Sequence, residues 1–155
     1  MASYLREISQ ALADGLDSAT FASVQTQPTV ERRNWARVDA ADMADPVVFV
    51  TAGQAETQRI SRGVTQVDYQ VLVYVGRRVE TEEDADDMLD LADEILLYIR
   101  AHSWGEAVQF PEDVTSPQTV SIAINPDDAL NERSVWRAVI TATYRVFQPD
   151  ELPES

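Results

Sequence analysis

The sequence predicts a single α+β domain in which a mostly antiparallel sheet of about four to five strands carries two packed helices, in the order α-β-β-β-α-β-β. Two segments repeat apolar residues every three or four positions, and several short runs alternate apolar and polar residues. The chain has 155 residues, 45% hydrophobic and 25% charged, enough for one core without an external staple.

The first helix is read from Leu5, Ile8, Leu12 and Leu16, with Ser3 placed to cap it. Phe21 to Gln25 and Val30 to Val38 read as short, weakly alternating strands; Pro28 between them favours a turn or an edge strand, because proline cannot donate to a central ladder. Asp45-Pro46 breaks the chain before Val47-Val48-Phe49-Val50, whose β-branched and aromatic residues suit a buried strand. Thr51 to Gly63 reads as a polar, arginine-bearing connection. Val67, Tyr69, Val71, Val73 and Val75 then share one face of the clearest strand, which Gly76-Arg77-Arg78 ends.

A second helix starts at Thr81, whose hydroxyl suits a cap with Asp84 three residues on. Its apolar stripe runs through Met88, Leu91, Ala92, Ile95, Ile99 and His102, widened by Leu89 and Leu96, and Ser103-Trp104-Gly105 stops it. After a loop through Pro111 and Pro117, Val120, Ile122 and Ile124 alternate. Asn125-Pro126-Asp127-Asp128 turns, and Trp136, Ala138, Ile140, Ala142, Tyr144 and Val146 alternate again. Residues 1–147 make the domain, and 148–155, with two prolines and three acids, read as a flexible acidic tail.

Net charge is −15, from 27 acidic residues against 12 basic ones, which opposes tight binding to a phosphate backbone. All 12 basic residues are arginine, a bias compatible with GC-rich coding, salt adaptation or bidentate pairing at interfaces. No cysteine is present, so disulfides, thiolate zinc sites and cysteine nucleophiles are excluded. The longest apolar runs, Val71 to Val75 and Ile95 to Ile99, fall far short of the roughly 20 residues of a membrane span. Neither a secretion signal nor membrane association is expected.

The only histidine, His102, lies near a helix end on the apolar stripe, where packing against the last carbonyls is its simplest role. No nucleophile elbow, zinc-protease helix or phosphate-binding glycine loop occurs, and neither an enzyme nor a cofactor is expected. Nine acids fall among the fifteen residues from Glu80 to Glu94. They have helical spacing and lack the central glycine of a calcium loop, so no metal is expected. Instead Glu82, Glu83, Asp86, Asp87, Asp90, Asp93 and Glu94 read as an acidic surface, solvated or lining a lumen or interface. Arginines gather elsewhere: Arg32, Arg33 and Arg37 early, then Arg59, Arg62, Arg77 and Arg78, the last four being candidate subunit-interface residues. Separate acidic and basic surfaces suit head-to-tail contact between identical copies, which can close into a ring.

The short first helix, Asp45-Pro46-Val47-Val48-Phe49-Val50, the long arginine-bearing connection into Val67 to Val75, the helix Asp87 to Arg100 and the late strand Trp136 to Val146 together resemble the tail-terminator, or tail-completion, proteins of long-tailed bacteriophages. The resemblance spans roughly residues 3 to 147 and rests on length, element order and character. It implies a structural virion protein at the tail and neck, assembled in the host cytoplasm as a hexameric homo-oligomeric ring. Such a ring ends the tail tube, contacts the tube protein, and offers a surface to the head-side neck or connector protein. DNA passes through without tight binding, and no reaction is involved. The resemblance further implies a loop or hairpin reaching toward neighbouring subunits, a role that falls to Thr51 to Gly63. Head-closure and other connector subunits have similar size and also lack catalytic motifs.

A second class of function is an acidic intracellular binding or inhibitor protein occupying a basic site on its target. A carboxylate-based enzyme would need two acids converging in one pocket, which spacing does not establish.

Overall fold

The computed structural model describes residues 4–24, 26–33, 45–101, 119–124 and 135–149. Its elements are α1 (Tyr4–Ser18), β1 (Thr29–Arg32), β2 (Val47–Ser61), β3 (Val64–Arg78), α2 (Glu82–Ala101), β4 (Thr119–Ile124) and β5 (Val135–Pro149). The chain is therefore α+β, in the expected order, and its five strands line up as β1-β2-β3-β5-β4. Among the described residues only β1 and β2 pair in parallel. Among the described residues no helix is long and apolar enough to cross a membrane.

Register explains which side chains make the core. Val48 stands opposite Val75 and Val50 opposite Val73, and across β5 Val75, Val73 and Val71 meet Ala138, Ile140 and Ala142. These small and β-branched side chains form one continuous apolar face, and all are fully buried. Both helices cover that face: Ile8, Leu12 and Leu16 of α1 and Met88, Leu91, Ile95 and Ile99 of α2 belong to the same cluster. Each such side chain contributes about 1.5–3 kcal/mol on leaving water. The opposite face carries a smaller apolar group, Val47, Phe49 and Val135 with Tyr74 beside them, and the Arg33 guanidinium stacks 4.1 Å from the Phe49 ring centroid. On the same face Asp68 and Arg145 stand opposite in register and make two hydrogen bonds, 2.9 and 3.2 Å long. Asp68 holds the Arg145 guanidinium above its usual range.

Thr51 to Gly63 is not a connection. Residues 51–61 continue β2, and Arg62-Gly63 alone make the turn into β3. The run hides because every residue from Ala52 to Ser61 is exposed. With neither face buried there is no apolar alternation to read, and the ladder to β3 holds the strand. Gly63 turns the chain at φ +89°, a conformation that L side chains rarely adopt. Between Ala52 and Ala55 the register gains one residue on β2, a bulge containing Gly53. A Cβ at Gly53 would sit 2.9 Å from the Gln70 carbonyl oxygen, so the close backbone approach requires glycine. On the other side β5 runs beside β3 as far as the Val64–Pro149 pair, so the projection is a three-stranded arm.

Residues 21–24 are loop and not strand: the Gln27 side chain closes the loop by accepting from the Phe21 N–H (2.7 Å) and donating to the Phe21 carbonyl (2.9 Å). Side-chain bonds of this kind offer the backbone an alternative to a ladder. The next strand is confined, among the described residues, to Thr29–Arg32, an edge strand just after Pro28. β3 continues through Arg78, since Gly76, Arg77 and Arg78 all pair with β5. Leu89 is 46% exposed and does not widen the apolar stripe of α2, whereas Leu96 packs against the core. β5 takes in Gln148 and Pro149, and the rest of the expected tail lies outside the described residues. So do Ser3, Arg37, His102, the 103–105 stop, the proline loop and the 125–128 turn.

Candidate interaction surfaces

The four candidate arginines fall into two pairs. Arg59 and Arg62 are exposed at the tip of the arm. Arg77 and Arg78 occupy the other end of β3, on the order of 40 Å away at about 3.3 Å per residue. Successive side chains of a strand point to opposite faces, so Arg77 lies on the helix-covered face and Arg78 on the other. No single surface holds all four.

Arg77 is half-buried and borders an open, polar cleft of ≈ 560 Å³ whose lining includes Ser23, Thr26, Asp45, Glu83, Asp84 and Asp87. Its Nε is buried and has no hydrogen-bond partner among the described residues. The cleft forms because only Val79, Glu80 and Thr81 link β3 to α2, which sets the acid-rich first turn of the helix beside Arg77 near the strand's end. That turn is capped as expected: the Asp84 N–H donates to Thr81 Oγ1 at 3.1 Å, and the Glu80 N–H donates to Asp84 Oδ2 at 3.2 Å. The Glu80 N–H bond holds the Asp84 carboxyl below its ordinary value; desolvation opposes it, and the Arg77 charge and the Thr81 hydrogen bonds add smaller lowering effects. Arg77 therefore balances its own chain's acids.

The acidic surface also divides. Glu83 and Asp87 line the cleft, and Glu82 is exposed at the start of the helix. Glu94 turns inward and accepts hydrogen bonds from the Ala22 N–H (3.0 Å), the Ser23 N–H (2.7 Å) and the Ser23 hydroxyl. It braces the loop after α1. One turn on, the half-buried Tyr98 hydroxyl donates to the Gly15 carbonyl at 3.0 Å while its ring meets Phe21 edge-on at 6.1 Å. Burial raises the Tyr98 pKa.

Only Asp86, Asp90 and Asp93 make an outward acidic face, and it is not wholly acidic. Leu89 and Leu97, 46% and 52% exposed, stand four residues before and after Asp93, so the three share one row along the helix. The sequence pattern places Leu89 on the apolar stripe, and its four-residue spacing from Asp93 is the signal that marks this outward row. A third exposed apolar side chain, Ile60 at 48%, sits between Arg59 and Ser61, where the ladder again gains a residue. Nothing in its neighbourhood marked it in the sequence.

Among the described residues no group of three or more histidine, aspartate or glutamate side chains is placed to hold a metal ion. No protein-family model matches the chain, and no curated protein matches it.

Proposed function

We propose that the chain is a structural subunit of a long-tailed bacteriophage virion, a tail terminator or close neck-and-tail joining protein that assembles as a hexameric ring on the end of the tail tube. The observation that supports this reading is the arm. Ordering a residue costs about 1–2 kcal/mol of backbone entropy, and the ten residues Ala52 to Ser61 recover little of it by burial within their own copy. A projecting, ordered, uncovered strand gains its stabilisation when another chain covers it. The resemblance in element order gives the arm a role, reaching a neighbouring subunit, and the charge of −15 suits a conduit along which DNA slides without sticking. No reaction and no cofactor enter this reading.

The test is to add purified protein to tail tubes assembled without it and to follow co-sedimentation and the appearance of tube ends by electron microscopy. The proposal expects saturable binding at one end of each tube, with ring-shaped density there. Protein that neither forms a ring nor joins the tube would overturn it. Salt separates this role from that of an acidic inhibitor: occupation of a basic site weakens steeply as ionic strength rises, whereas an interface with an apolar centre weakens less.

A further inference from the structure

Two exposed patches of this chain are complementary in charge and in apolar character. At the arm tip Ile60 lies exposed between Arg59 and Arg62. On α2 the row Leu89–Asp93–Leu97 lies exposed beside Asp90. One patch is an apolar side chain between two cations; the other is a pair of apolar side chains with anions between and beside them. We infer that the arm tip of one copy docks on the outward face of α2 of the next copy, with Ile60 against Leu89 and Leu97 and the arginines against Asp90 and Asp93.

A copy does not make this contact with itself. α2 begins beside Arg77 and its 20 residues span about 30 Å at 1.5 Å per residue, whereas the 15 residues of β3 span about 50 Å. The strand outruns the helix by on the order of 20 Å. The arm is continuous with the β2–β3–β5 ladder of the body, so folding the tip back would break the β2–β3 and β3–β5 pairing. The contact is also heterologous: the arm patch and the helix patch are different surfaces, so each copy donates one and receives on the other, as a closed ring requires. Burial of three exposed aliphatic side chains supplies the apolar centre, and the ion pairs around it set register and exclude wrong partners.

This inference rests on the proposal that copies associate, and it is tested separately from tube binding. The chain has no cysteine, so Arg62→Cys and Asp93→Cys chains each carry a single thiol at an exposed position. The two variants are mixed in equal amounts, oxidised mildly, and compared with each alone on non-reducing gels, with light scattering to give the mass in solution. Circular dichroism melts confirm that both variants fold. A disulfide-linked dimer at least tenfold more abundant in the mixture than in either variant alone is the expected result, because only the mixture places one thiol of each kind at a tip–helix contact. Association by mass without the mixed disulfide overturns the docking site and leaves the ring reading standing. Absence of both association and mixed disulfide overturns the docking site too, and the tube-binding experiment then decides the ring reading on its own. Preferential linkage of the tip thiol to an added tube protein would show that the arm serves the tube and not the next copy, also overturning the inference.

Discussion

Thr81 and Asp84 cap the start of α2, and Glu94, midway along the helix, holds the loop after α1. Thr81→Ala removes the hydroxyl that caps Asp84 and should cost about 1 kcal/mol in urea unfolding. Asp84→Asn should destabilise the protein at neutral pH and progressively less in acid. The folded-state pKa of Asp84 is depressed, so its contribution is complete above the ordinary value of 3.8 and is lost as pH falls through the lower folded value. Urea midpoints of wild type and variant should therefore converge as pH falls below the depressed folded-state value. Glu94→Ala leaves the Ala22 and Ser23 N–H groups without their carboxylate and should cost about 1.5–3 kcal/mol, with no separate effect on assembly by folded protein. Arg77 belongs with these internal groups, since its charge acts on Asp84 and it borders the cleft with Glu83 and Asp87.

At the scale of elements the arm carries the main consequence. Gly53→Ala forces a Cβ toward the Gln70 carbonyl oxygen, a backbone atom that cannot rotate away, and should cost about 1–3 kcal/mol. Amide hydrogen exchange should show the loss of protection concentrated between residues 53 and 70, because the helix-covered core does not depend on the bulge. The arm is also where reading from sequence stops. Elements with one buried face were legible: the valines of β3, the stripes of α1 and α2, and the alternation of β5 each left a periodic trace. Ala52 to Ser61 left none, because exposure on both faces removes the period-two signal while the backbone ladder stays intact. The surfaces failed differently. Residue type and spacing found the charges, but could not tell that Glu94 points into a loop, that Arg77 faces its own helix, or that Ile60 and Leu97 lie outward.

For the whole molecule, a charge of −15 on 155 residues makes self-repulsion a standing cost, concentrated at the first turns of α2. Raising salt from about 20 mM to about 200 mM shortens the Debye length and should raise the melting midpoint by a few degrees; a fall would contradict this. Both helices cover one face of the sheet, and the arm continues that sheet past them, so the molecule has a stable body and a projecting lever of its own strands. In the proposed function, a ring of such units ends a tube by occupying its last surface. The most direct test is the length distribution of tails assembled in cells that lack this protein, measured by electron microscopy. The account predicts tails that overrun their normal length and fail to join heads, with both defects corrected by supplying the protein. Tails of normal length that join heads without it would contradict the account.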